Sequence, residues 1–373
     1  MSTFVESVLG QPAGSVATIT PDYIVINDGV SNAAVDEIST VANQEKVWVI
    51  YDHDVPTGSP QASDILKKNL EFSNKNGCHY VQAKGVGYQY MLDEVVKPGQ
   101  IVIGGGSHGS IFGAKKALGI NVSIPELARV VETGRYSVIV PETIYVTVTG
   151  SLREGVSIMD AGFTFLKNTK ELEGKAIEFY APVLDDHQKE VLCSMACMTG
   201  AYTASVTEDA PVGGASLNLD TVVPMAMKPC GDRANQGKAE ICEKAALAGT
   251  EVQAGQIGGY TGGTIEELRK AAAMMEGKTL KQGYRLSICP ATSEDYIQAM
   301  EEGLLYTFID YGAQVQAAGD HSVVTQGAGA MGPKEKLLTT GLYTFAGSMG
   351  CEDAEIYSVS VEAVMEASYT KQI

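Results

Sequence analysis

Gly258-Gly259-Tyr260-Thr261-Gly262-Gly263-Thr264, running into Ile265-Glu266-Glu267-Leu268-Arg269, is the stretch on which the fold reading turns. Glycines spaced this way let a backbone approach a ligand or another chain segment closely. Thr264, with Glu267 three residues later, reads as a capping box that opens a helix. The glycine loop therefore sits at a helix N-terminus, a place suited to anions. No Gly-Lys-Ser/Thr follows, so it is not a P-loop.

Outward from this loop, three more turns share its character. They are Asp52-His53-Asp54, Gly104-Gly105-Gly106-Ser107-His108-Gly109 and Gly327-Ala328-Gly329-Ala330-Met331-Gly332. The first follows an apolar run, Lys46 to Tyr51, that reads as a buried strand. The second follows a short strand, Gln100 to Ile103, and leads into a predicted helix from about Ser110 to Leu118. Further expected elements are a helix from Ser63 to Asn76 closed by Gly77, strands at 138–140 and 144–148 around Pro141, a strand from Tyr284 to Cys289 and a helix from Ser293 to Glu302. Gly213 to Gln236 is the least regular stretch and reads as a connection between domains. Alternating strands and helices of this kind predict α/β layers, with sites gathered at the carboxyl ends of the strands.

At 373 residues and 45% hydrophobic content, the chain is long enough for two or three domains. Its net charge of −18 repels phosphate backbones, which argues against nucleic-acid binding and against a basic membrane-surface protein. No uninterrupted apolar run is long enough for a membrane span, and the N-terminus lacks a signal-peptide pattern, so a cytoplasmic protein is expected. The seven cysteines form no CxxC, which excludes the common zinc-ribbon and thioredoxin spacings. Cys193 and Cys197 share a helical spacing and read as small core residues.

The ordered motifs resemble the large subunit of 3-isopropylmalate dehydratase, in the aconitase superfamily. The likeness is carried by Pro21 to Val35, which includes Asp28 and Asn32, by Val140-Pro141-Glu142-Thr143-Ile144, and by Cys193-Ser194-Met195-Ala196. Leu217-Asn218-Leu219-Asp220-Thr221, Ile265 to Arg269 and Thr339 to Gly350 extend it over nearly the whole chain. The resemblance implies an α/β chain of three α/β/α domains around a central cleft, with boundaries at 1–140, 141–212 and 213–373. It implies no swivel domain in this chain; in the family that domain is often a separate small subunit, a possible partner here.

Residue by residue, the family's Asp-His stands at Asp52 and His53, and its Ser-His at Ser107 and His108. The resemblance makes His53 and His108 the acid–base pair, with Asp52 and Tyr260 also catalytic. Asp28, Asn32, Ser107, Thr261, Tyr90, Tyr343 and Ser348 are the expected substrate contacts. The family's 4Fe–4S cluster needs thiolates. Its first cysteine position holds Tyr260, and the other two fall in Ala318 to Gln326, which contains no cysteine. The family's substrate-gripping arginines are replaced by Thr264, Tyr343 and Ser348, its acidic groups by Gly106 and Met198, and a histidine by Tyr90.

Charge has thus left the expected cleft on both sides. This pattern predicts no cluster and a small hydroxy acid or another weakly anionic substrate. Three readings stay open: a cluster-free hydro-lyase or isomerase, a non-catalytic binding or scaffold subunit, and an enzyme with a divalent metal in place of the cluster. Asp320-His321, beside His53, His108 and Asp52, is the candidate metal group, although no local spacing supports a metal.

Overall fold

In the computed structural model, which describes residues 2–169, 172–323 and 327–373, the strands form three large sheets and one two-stranded ribbon. The first sheet is parallel throughout and runs His79–Gln82, Val47–Tyr51, Tyr23–Asn27, Ile101–Gly104, Leu118–Asn121. The chain's earliest strand of this sheet is central, and later strands add on both sides of it. That reversal of order leaves a crevice beyond the carboxyl ends of Tyr23–Asn27 and its neighbours, where α/β folds place ligands.

Alternation along these strands fills both faces. Ile24, Ile26, Ile101 and Ile103 pack into one core with Leu127 and Val131 of the helix Ile124–Thr133. Val25, Ile50 and Val102 pack into another with Tyr88, Met91 and Phe112. A parallel sheet buried on both sides needs such a cover.

The second sheet comprises Thr203–Thr207, Ala176–Tyr180, Thr143–Thr149 and Ala215–Asn218, all parallel. The third has seven strands in the order Ile241–Glu243, Met225–Met227, Glu355–Val359, Lys336–Thr339, Ala254–Ile257, Arg285–Ile288, Gln314–Val315. It is also filled on both faces, by Ile257, Leu286 and Leu338 on one side and Ala254, Leu337 and Ile356 on the other. This is the expected α/β architecture.

Three local expectations are corrected. The segment after Ser107 is a 3-10 helix, His108–Lys115, and Leu118 already begins a strand. This segment packs closely on the second sheet: a Cβ on Gly113 would stand 1.7 Å from the carbonyl oxygen of Ala204. The capping box at Thr264 does not form; the first N–H of the helix Ile265–Met275 is taken instead by Asp295 Oδ1, 2.8 Å away. Thr264 and Glu267 turn to His187. The stretch 213–236 is not a bare connection, because Ala215–Asn218 and Met225–Met227 are strands of two different sheets.

Candidate active site

The carboxyl ends of the first and third sheets face each other across a cavity of about 310 Å³. The backbone N–H of Asp320 donates to the carbonyl of Asp52, 2.7 Å away, and ties the two sides together. From the first sheet come Asn27 to Val30, Asn32, His53, Asp54, Tyr88 and Gly105 to His108; Tyr260, Asp320, Val323 and Tyr343 come from the third. Arg233 also lines it.

Asp28 anchors the His53 turn. Its buried carboxylate accepts the backbone N–H groups of Asp52, His53 and Asp54 at 2.9, 3.0 and 3.1 Å. Burial alone would raise its pKa, but the His53 side chain and the Asp52 N–H hold the carboxyl well below its usual range.

Asp52 is more deeply buried. One oxygen lies 2.6 Å from His53 Nδ1, and the other accepts the N–H of Gly87 at 2.8 Å. Asp28 stands 3.4 Å from the same Nδ1. Burial works against a charge on His53, but the two carboxylates prevail and push its pKa well above 6.5. The ring is 20% exposed, and Nε2 has no hydrogen-bond partner among the described residues. It presses on Gly29, where any Cβ would come within 2.8 Å of it. His53 is therefore an oriented, proton-bearing imidazolium with one nitrogen unspent.

His108 is the opposite case. Its Nδ1 lies 3.1 Å from Ser194 Oγ and 3.7 Å from Cys197 Sγ. One face stacks on Tyr260, with ring centroids 4.4 Å apart, and Tyr343 meets it edge-on at 5.8 Å. Burial among these rings pushes its pKa down to about 4, so it is neutral at neutral pH. Burial likewise pushes the Tyr260 and Tyr343 phenols upward, so both keep their protons.

The structure gathers Asp28, Asn32, His53, Ser107, His108, Tyr260 and Tyr343 around one cavity. Four other sequence expectations need correction of place. Asp52 does not line the cavity; its carboxylate lies behind His53, on Nδ1. Thr261 is turned away, donating to the Thr340 carbonyl, because successive residues of the 3-10 turn Gly259–Thr261 point in different directions. Tyr90 lines a separate crevice with Asp93 and Thr292; two residues apart on a helix lie on nearly opposite faces, and Tyr88 takes the cavity side. Ser348 is buried off the cavity, its hydroxyl unpartnered among the described residues. The turn at 327–332 also lies elsewhere, with Met331 bonded to the Met349 carbonyl.

Arg233 was not singled out by sequence. It sits at the start of a short 3-10 helix, Arg233–Lys238, where nothing periodic marks it. Its guanidinium lies 5.6 Å from the centre of the Phe345 ring, and Phe345 packs on Tyr343 at 6.0 Å. Cation–π contact of this kind holds a guanidinium in place for about 0.5–1 kcal/mol at an exposed site. Thus not every cation has left the cleft.

The donor set does not fit an iron–sulfur cluster. Among the described residues no cysteine lines the cavity. Cys197 touches His108 from behind, and burial pushes its thiol up to about 12, against thiolate formation. Cys193 and Cys289 lie in the cores and are pushed up likewise. Of the cysteine-free stretch 318–326, Val324 to Gln326 lie outside the described residues.

A divalent ion finds little better. Among the described residues, Asp28, Asp52 and His53 offer ligand atoms within 4.8 Å of one another. Those of Asp28 are already spent on backbone N–H groups, and His53 Nδ1 on Asp52. The expected Asp320-His321 pair does not join them: His321 Nε2 points at the Ala317 carbonyl, 3.1 Å away.

A family model for aconitase (aconitate hydratase) matches residues 5–212 and 214–370. The chain belongs to the aconitase family. Among curated relatives, the 3-isopropylmalate dehydratase large subunit of Pyrococcus horikoshii is 27% identical, covering 98% of this chain and 97% of its own. The homoaconitase large subunit of Thermus thermophilus is 26% identical, with 96% and 93% covered. The solved structure of Thermococcus kodakaraensis aconitase X, holo-form, aligns at a TM-score of 0.58 with 11% identity over 98% of this chain and 96% of that one, a likeness of fold. Among the described residues, no helix is long and apolar enough to cross a membrane.

Proposed function

We propose that this aconitase-family chain is a hydro-lyase or isomerase that acts without an iron–sulfur cluster on a small hydroxy acid. The observation that carries the reading is the pair of histidines on one cavity with opposite protonation, His53 charged by its carboxylates and His108 neutral among aromatic rings. Loss of water from a carbon next to an acidic C–H needs one group to protonate the leaving hydroxyl and another to take the carbon's proton. His53 Nε2–H supplies the first proton. Neutral His108 receives the second, and solvent returns the proton from one to the other between turnovers. Tyr260 and Tyr343, which keep their phenol protons, donate hydrogen bonds to the charge that develops on the substrate.

The names of the relatives, large subunits of a 3-isopropylmalate dehydratase and of a homoaconitase, support the lyase class and a small partner subunit. The test is proton NMR in deuterated solvent. A panel of small hydroxy acids is incubated with the purified chain, alone and with its genomic neighbours' products. Deuterium entry next to the carboxyl group, or alkene signals, is expected for at least one acid. A bound acid that shows neither would overturn the reading. Iron and acid-labile sulfide, assayed after anaerobic purification, should be far below one per chain; about four of each would end the cluster-free proposal.

A further inference from the structure

The charges around the cavity do not suit a simple anion. Asp28, Asp54 and Asp320 all line it, against Arg233 and His53. Asp28 is saturated by backbone N–H groups and by His53. Asp320 is not. It is 3% exposed; one oxygen accepts the N–H and hydroxyl of Ser322, and the other has no hydrogen-bond partner among the described residues. Its neighbour His321 does not neutralise it, since that ring is turned to Ala317. Asp320 lines the cavity, where a cationic group can reach that oxygen and make a charge-assisted hydrogen bond. Arg233, held over Phe345, likewise makes no ion pair with a carboxylate among the described residues. Arg233 thus faces the same small space as two carboxylates that make no ion pair among the described residues, Asp54 and Asp320, of which Asp320 is the more deeply buried.

We propose that the cavity takes a small zwitterion, a hydroxy-amino acid, with its carboxylate on Arg233 and its ammonium on the free oxygen of Asp320. The choice of a hydroxyl-bearing ligand rests on the hydro-lyase reading; the zwitterion itself rests on Arg233 and Asp320. A zwitterion adds no net charge to a cavity already rich in carboxylates. A dicarboxylate would set its second acid group against Asp54 or Asp320, and like charges brought together cost affinity. The aliphatic part of the lining, Val30, Ile65 and Val323, accepts a short aliphatic side chain.

Isothermal titration of the full chain with matched pairs tests this: L-threonine against 3-hydroxybutyrate, L-serine against 3-hydroxypropionate, and malate as the dicarboxylate. At least one amino acid should bind about ten- to a hundredfold tighter than its partner lacking the amine, as loss of a charged hydrogen bond requires. Asp320→Asn should erase that preference while leaving the weaker acid's affinity unchanged or improved. Arg233→Gln should weaken both members of a pair. The proposal is overturned if malate or an amine-free acid binds tightest, if no amino acid of the panel binds, or if a well-folded Asp320→Asn protein keeps the preference. Binding of the amino acid without water loss would sink the hydro-lyase reading and leave this one standing.

Discussion

The two ends of the cavity hold the same side chain and give it opposite chemistry. At the His53 end, two buried carboxylates fix the ring through Nδ1 and keep it charged. At the His108 end, a hydroxyl, a thiol and two phenol rings surround the imidazole and keep it neutral. Both histidines sit just past a strand of one sheet, and both are recognisable in sequence by their turns. Their difference lies wholly in neighbours. A pair of titratable groups driven apart by environment is how one site supplies an acid and a base at the same pH.

The comparison breaks most visibly if either histidine is dispensable. His53→Ala and His108→Ala should each lower kcat by about 10²–10⁴-fold, with little loss of folding, in a steady-state assay on the acid found above. Full activity in both variants would favour a binding role for the cavity.

Asp52→Asn sharpens the contrast, because it keeps the ring but removes the carboxylate that charges and aims it. We expect kcat to fall by about 10²-fold, with KM nearly unchanged and the alkaline limb of the pH profile moved to lower pH. A pH profile identical to the parent's would show that Asp52 does not set the state of His53.

The pH dependence of stability separates the two ends by sign. His53 has a raised folded-state pKa, so its contribution is complete below about 6.5 and lost as pH rises through the folded value. His108 has a folded-state pKa of about 4, so the unfolded chain binds the extra proton between about 6.5 and 4, and stability falls as pH drops through that window. The loss is on the order of 3 kcal/mol when complete. Urea denaturation of His108→Phe should show a flatter slope across that window than the parent. An unchanged slope would contradict the neutral buried ring.

The smallest effects concern one helix. Tyr88→Phe, which removes the hydroxyl 3.4 Å from the Gly106 N–H, should cost a few-fold in kcat/KM. Tyr90→Phe, two residues along and on the other face, should leave kcat/KM within about twofold. The reverse order would return Tyr90 to the cavity.

Much of the site was legible because its residues follow strands. Asp28, His53, Ser107, His108 and Tyr260 all come from turns just past strands, the first four on the first sheet and Tyr260 on the third, and the turns mark them in the sequence. For Tyr90 and Thr261 the motif gives the segment but not the azimuth of the side chain. A 100° step per residue decides which one looks into the cavity. The expected cap at Thr264 failed for a related reason: Glu267 fits a local pattern, yet His187 and Lys270 compete for it in three dimensions.

By itself, then, the sequence determined the α/β layering and the turns that carry polar groups, since periodicity, glycine and residue identity are local properties. Tertiary structure alone decided which histidine has its pKa raised and which lowered, that Arg233 and Asp320 line one cavity, and that the Asp52 carboxylate lies behind His53. Those facts depend on through-space distance and burial, which positions 53, 233 and 320 share only because the chain folds them onto one cavity, where the Asp320 N–H meets the Asp52 carbonyl 2.7 Å away.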